Sequence, residues 1–346
     1  ATAYVPNLAA GSLASSRSRL VAIFLPTIAN SIFADTVQAL TERLAVAGYQ
    51  TLLGLTGYSA EQEERLLEAV LGRRPDGIVL TGTEHSQVSH ERLARVGIPL
   101  LEAWDLCAKP LDMLVGFSHE AVGAAVAQYL LGKGYRRVSL VSLDDPRGLR
   151  RCNSLIATLA GHGVAPLATA LLPAPATLAV GREGLARLLD AGAAGEVVVC
   201  SSDTLAQGVL AEAASRGVRV PDDLAVMGFG DLSCAAHCHP PLSTVRIDGP
   251  RIGNAVAEAL LARIAEPALA RTPLRLGVRG GRARQCLSGR AQNCLTSAAT
   301  AIPAAIAGSG FFSTSMVAAV ASSARRAPAS PCSAMGATIA TSTEPD

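Results

Sequence analysis

Residues 197–228 read VVVCSSDTLAQGVLAEAASRGVRVPDDLAVMG, and the order of their parts decides the fold. Val197–Cys200 is a short apolar run without polar alternation, as in a strand covered on both faces. Residues 204–216 carry apolar side chains at helical spacing, and residues 224–228 form a second apolar run. A strand, a helix and another strand in that order make a parallel pair joined by a crossover helix. Outward from this unit the rhythm repeats. Strand-like runs fall at 21–25, 51–55, 77–80, 99–103 and 138–142, and helical patterns at 35–47, 119–132 and 155–160. Ser59 stands three residues before Gln62 and an apolar series, which resembles a capping box. The expected fold class is α/β, with two lobes that are each a doubly wound parallel sheet. Ligands bind beyond the carboxyl ends of such strands, here in the cleft between lobes.

The totals agree with an ordered body. The chain has 346 residues, 49% hydrophobic and 17% charged, enough for two cores. A formal net charge of +2 excludes a surface-wide field for nucleic acid or membrane. The cysteines number eight; Cys107, Cys152, Cys200, Cys234 and Cys238 are scattered, and the other three fall in an atypical C-terminal stretch. Without a secretory pattern at the start, reduced thiols and a cytoplasmic location are expected. No uninterrupted apolar run reaches spanning length, so no membrane contact is expected.

Several segments, in order, resemble the LacI/GalR family of bacterial transcription repressors, from about Tyr4 to Val278. They are Tyr4-Val5-Pro6-Asn7-Leu8-Ala9-Ala10-Gly11-Ser12-Leu13, Pro26-Thr27-Ile28-Ala29-Asn30-Ser31-Ile32-Phe33 and Arg73-Arg74-Pro75-Asp76-Gly77-Ile78-Val79-Leu80. The strongest is Val220-Pro221-Asp222-Asp223-Leu224-Ala225-Val226-Met227-Gly228-Phe229-Gly230-Asp231, continued by Pro240-Pro241-Leu242-Ser243-Thr244-Val245-Arg246. Residues 10–15, Ile28-Ala29-Asn30-Ser31 and Glu102-Ala103-Trp104-Asp105-Leu106 are similar to gluconate-operon repressors within it. The resemblance implies a periplasmic-binding-protein-like sensor. Its first lobe spans 19–117 plus 247–277 and its second 118–246, after a remnant of the DNA-binding head and hinge helix at 1–18.

In the family the hinge helix forms on operator DNA and wedges a leucine into the minor groove. Leu13 falls on that position, with Asn7 and Ala10 on the same segment. A lone helix of that length is marginal in water. With no recognition helix before Tyr4, specific operator binding by this polypeptide is not expected. The intact protein is expected to bind operator DNA as a homodimer.

By the family's pattern, Asn30, Ser31, Phe33, Glu102 and Trp104 reach the effector from the first lobe. From the second come Arg151, Ser202, Asp203 and Gly230. Trp104 is the only tryptophan and suits stacking on a polyol, or equally a core position at a strand end. Arg151 offers a planar fork to a carboxylate; amid Arg147 and Arg150 it also reads as a solvated surface arginine. The neighbouring Cys152-Asn153-Ser154-Leu155 departs from the family's Gly-Phe ending. Ser202 and Asp203 suit helix capping, one of them remaining free for the cleft. Gly230 stands where many sugar-binding members carry an acid, and its missing carboxylate favours an anionic effector, a sugar acid such as gluconate or its phosphate.

His237-Cys238-His239 beside Cys234 lacks a complete zinc ligand set, and no metal or cofactor is expected. Neither a nucleophile elbow nor a phosphate loop occurs, so the chain reads as no enzyme. The stretch 279–290 is basic and glycine-rich, and 298–346 is low in complexity; this aberrant tail, 279–346, is expected to be disordered and to follow a frameshift. The alternative reading is a solute-binding protein of a sugar transporter, which shares the two-lobed architecture. A two-lobed enzyme is the third.

Overall fold

The computed structural model describes residues 17–28, 31–268 and 274–276. The segment at 1–16 with Asn7, Ala10 and Leu13, the loop residue Asn30, and the stretch after residue 276 with its tail lie outside the described residues. Among the described residues eleven strands and eight α-helices follow one another, mostly in the alternation that the sequence rhythm implies. In the first lobe β1 (Leu20–Leu25), β2 (Gln50–Leu55), β3 (Gly77–Thr81), β4 (Leu100–Ala103) and β5 (Met113–Gly116) alternate with α1 (Ala34–Val46), α2 (Ala60–Leu71) and α3 (Gln87–Arg95). The second lobe comprises α4 (His119–Gly132), β6 (Val138–Leu143), α5 (Pro146–Gly161), β7 (Ala168–Leu172), α6 (Leu178–Asp190), β8 (Val197–Cys200), α7 (Asp203–Ser215), β9 (Ala225–Gly230) and β10 (Ser243–Arg246). The chain then returns through α8 (Gly249–Ala265), packed on α1, and β11 (Leu274–Arg275) to the first sheet.

All pairings are parallel. The sheet orders are β11-β5-β4-β3-β1-β2 and β10-β9-β8-β6-β7, so the two lobes wind in the same sense and order. That identity follows from repeated strand–helix–strand units, each obeying the right-handed crossover rule. Side-chain caps start the helices: Ser59 accepts from the Gln62 amide, Ser118 from Ala121, Asp145 from Gly148 and Ser202 from Leu205.

One apolar core runs through both lobes, from Val21, Leu101 and Val115 to Val138, Leu155 and Phe229. The outer faces of the two sheets have separate cores, around Phe24 and Leu67 in one lobe and Val198 and Val209 in the other. Where the common core passes between lobes its members are aromatic. The Trp104 ring lies edge-on to Phe33 at 5.0 Å and to Phe117 at 5.9 Å.

The sequence pattern missed β5, β7, β10, α3, α6 and α8: β10 (STVR) and α3 (QVSHERLAR) are largely polar, and β7 alternates exposed and buried positions. It also began α5 at Leu155, nine residues late. The true start is Asp145-Pro146, an acceptor cap followed by proline in the first turn. That error matters, because Arg147, Arg150 and Arg151 all stand on the omitted turns.

Candidate functional site

The loops at the carboxyl ends of the strands meet between the lobes. Pro26 after β1, Tyr58 after β2 and Gly82 after β3 face Pro146 and Arg147 after β6. Deeper in, Phe33 and Trp104 face Arg151, Ser201, Ser202 and Phe229 around a pocket of about 40 Å³. Nearer the opening lies a second cavity of about 370 Å³, lined by Thr83, His85, Asp105 and Arg150 among others. Tyr58 and Arg147 line both.

Two first-lobe residues at this site have left-handed backbones that are uncommon outside glycine. Tyr58 has φ 60° and Trp104 φ 70°. At Trp104 the backbone leaves β4, yet its amide still donates to the Val115 carbonyl (3.0 Å). The ring is thereby turned inward and buried, at 3% exposure, and its indole N–H has no hydrogen-bond partner. A buried donor without an acceptor costs roughly 1–3 kcal/mol.

The second-lobe wall is cationic. Gly123 of α4 lets α5 approach closely, since a Cβ there would stand 2.2 Å from the Arg151 carbonyl oxygen. The Arg151 guanidinium stacks over Phe229 at 4.0 Å. It donates to His119 Nδ1 (2.9 Å) and to the Ser201 carbonyl (3.0 Å). Burial, reinforced by the neighbouring arginine charges, pushes His119 down to about 2, so the imidazole is neutral. Its tautomer follows: Nε2–H donates to the Trp104 carbonyl (3.0 Å), leaving Nδ1 to accept from Arg151. Burial also lowers Arg151, to about 10, which leaves it charged at neutral pH. Arg147 lies over the Phe33 ring at 5.4 Å, with its Nη1 buried and unpartnered.

Three second-lobe cations on the first turns of α5 run against the helix dipole, which favours negative charge there. Two of them are drawn toward the first lobe. Arg147 reaches Phe33, and Arg150 pairs with Asp105 and lies 3.8 Å from Glu84.

The expected residues divide. Phe33, Trp104, Arg151 and Ser202 come together at the inner pocket. Ser202 serves in two ways, capping α7 and lining the pocket. Arg151 is not a solvated surface arginine: its fork is enclosed by His119, Ser201 and Phe229. Ser31 begins a short 3-10 turn and does not line the pocket; its neighbours Ile32 and Phe33 do.

Glu102, Asp203 and Gly230 do not line the inner pocket. The Glu102 carboxylate turns away, accepting from the Leu111 amide (2.8 Å) and facing His85 Nε2 at 3.6 Å. Asp203 is buried behind the wall, where it accepts from Thr244 Oγ1 (2.5 Å) and the Leu232 amide (2.8 Å). Burial raises its carboxyl to about 6. Both acids have buried N–H or O–H donors to satisfy, which outweighs any pull toward the cleft. Gly230 packs against Ile32 rather than lining the pocket, and its φ of 133° is one that a side chain would strain. Glycine there answers a backbone requirement as well as removing a carboxylate.

Sequence reasoning also missed Tyr58, His119, Asp145 and Arg147 as pocket residues. The Asp-Pro-x-x helix start at Asp145 was the available signal for two of them.

Residues 127–280 match the family model described as a periplasmic binding protein-like domain. The chain is 37% identical over 264 residues to the HTH-type transcriptional regulator GntR of Pseudomonas aeruginosa, covering 76% of this chain and 77% of that protein. It is 29% identical over 262 residues to the regulator of the same name in Escherichia coli, covering 75% and 79%. Among solved structures, the transcription regulator GntR of Chromobacterium violaceum superposes with a TM-score of 0.70 at 35% identity, covering 75% of this chain and 97% of that one. A LacI family transcriptional regulator from Silicibacter pomeroyi gives 0.72 at 31%, covering 78% and 98%. The fold, the order of the matched segments and these relatives agree: the chain belongs to the LacI/GalR family of transcriptional regulators, close to those named GntR.

Proposed function

We propose that this chain is the effector-binding and dimerisation core of a cytoplasmic repressor of sugar-acid utilisation genes, with gluconate or its phosphate as effector. One observation supports this most. The inner pocket has two guanidinium groups, Arg147 and Arg151, against one carboxylate, Asp145, already engaged in capping α5. With His119 neutral, the lining carries net positive charge, which favours an anion. The unpartnered indole N–H of Trp104 adds a donor for an acidic or hydroxyl oxygen.

Effector binding draws the lobes together and shifts the first lobes of the homodimer, separating hinge segments that carry Leu13, Asn7 and Ala10 on operator DNA. A coupling of about 1–3 kcal/mol suffices. Chemistry on the ligand is disfavoured: His119, the one imidazole at the pocket, has both nitrogens engaged and a pKa far too low for a general base. Among the described residues no helix is long and apolar enough to cross a membrane, and no group of His, Cys, Asp or Glu is arranged to hold a metal ion.

Calorimetric titration with gluconate and with glucose tests the reading. Gluconate is expected to bind at least tenfold more tightly. Equal affinity, or preference for the neutral sugar, would refute the anionic assignment.

A further inference from the structure

The inner pocket is small for the task assigned to it. Its volume of about 40 Å³ holds a water molecule or two, whereas the outer cavity, at about 370 Å³, lies within the usual range of roughly 300–1,000 Å³ for small-molecule sites. The two adjoin, because Tyr58 and Arg147 line both. A ligand larger than the inner pocket has the outer cavity as its nearest further space.

The chemistry of the outer cavity differs from that of the inner pocket. Its ions are already matched in pairs. His85 Nδ1 lies 3.0 Å from Glu63, and Arg150 is paired with Asp105. Burial pulls the His85 imidazole down, but the hydrogen bond with Glu63 and the nearby Glu102 carboxylate outweigh it and hold the group at about 9, so the pair is ionic at neutral pH. An added phosphate dianion would face the carboxylates of Glu63, Glu84 and Asp105 with only one unpaired cation, Arg147, to receive it. Neutral hydroxyl groups fit better. Each donates and accepts, and the lining intersperses acceptor carboxylates with hydroxyls such as those of Tyr58 and Thr83. The faces of Pro26, Tyr58 and Pro146 supply apolar surface for the C–H face of a sugar ring.

We propose that the outer cavity is a second subsite for a neutral sugar unit, making the preferred effector a glycosylated sugar acid. Its acid end sits by Trp104, Arg147 and Arg151, and its sugar end by Tyr58, His85 and Arg150. The proposal rests on reading the inner pocket as the acid-binding end.

The test is calorimetric titration of the full chain with gluconate, maltobionate (gluconate carrying a 4-O-glucosyl unit), 6-phosphogluconate, and neutral maltose. Glu84→Trp is titrated in parallel. Glu84 lines the outer cavity with a side chain 59% exposed, and its one ion-pair contact is at 3.8 Å, so an indole there fills the cavity mouth without disturbing the core. Maltobionate is expected to bind at least tenfold more tightly than gluconate, and the ratio to fall below threefold in the variant. A wild-type ratio below threefold, a ratio that survives Glu84→Trp, or tighter binding of 6-phosphogluconate than of maltobionate would overturn the second subsite while gluconate binding still upheld the first. Maltose binding as tightly as maltobionate, sensitive to Glu84→Trp, would instead support the outer subsite and refute the acid-binding reading. No binding by any of these ligands would overturn both.

Discussion

The two walls of the cleft are built on opposite plans. The first-lobe wall is held mainly by side chains of its own lobe: Trp104 packs on Phe33 and Phe117, and His85 pairs with Glu63 and faces Glu102. The second-lobe wall gathers like charges at a helix start where the dipole disfavours them. Apart from the unpartnered indole N–H of Trp104, local packing and pairing account for the first wall without a ligand. On the second wall Arg150 and Arg151 are compensated by Asp105, His119 and the Ser201 carbonyl, but Arg147 Nη1 stays buried without a partner, and a local rule broken in this way points to a functional site. The first wall sets shape and the second sets charge.

Trp104→Ala probes the claim that the first wall is core. Removing a buried aromatic is expected to cost about 3–5 kcal/mol of stability, measured by urea denaturation. A loss under about 1 kcal/mol would mean that the ring belongs to the ligand rather than the fold.

The His85 pair sharpens the same point through pH. The folded-state value near 9 stands above the unfolded value near 6.5, so the stabilisation is fully present below pH 6.5 and is lost as pH rises through 9. Stability is expected to fall by about 3 kcal/mol over that window in the wild type, and His85→Gln to remove that component. Identical pH profiles for the two proteins would show that the pair contributes nothing.

On the other wall, Arg151→Met and Arg147→Met should separate charge from scaffold. Each is expected to weaken gluconate binding by roughly 10–100-fold, the worth of one hydrogen bond to a charged group. Arg151→Met should also destabilise the fold, because it leaves His119 Nδ1 and the Ser201 carbonyl without their donor. Arg147→Met should change stability by less than about 1 kcal/mol. Equal destabilisation by both would erase the distinction between the two arginines. The smallest effect is spectroscopic. Since Trp104 is the sole tryptophan, effector binding should shift or quench intrinsic fluorescence, and Trp104→Phe should abolish the signal.

Most of the repeated strand–helix pattern was legible, from Val21 through the apolar run at 224–228, because burial on both faces imposes uninterrupted apolar runs. The pocket was less legible. Phe33, Trp104, Arg151 and Ser202 were reachable through family motifs and Arg147 through the helix start at Asp145-Pro146, whereas Tyr58 had no periodic or motif signal. That Glu102 and Asp203 turn away from the inner pocket was not legible, because a carboxylate's direction depends on which buried amides and hydroxyls need an acceptor, and these lie 9 to 41 residues away in the chain.

Hydrophobic periodicity and helix-start chemistry are properties of neighbouring residues, so the amino-acid order alone determined a two-lobed α/β body and its parallel sheets. Only the tertiary structure decided that Arg147 reaches Phe33, that His119 is held neutral between Trp104 and Arg151, and that one cleft contains two chambers of unlike charge. Charge, tautomer and cavity volume arise from groups that the fold brings together from distant parts of the chain.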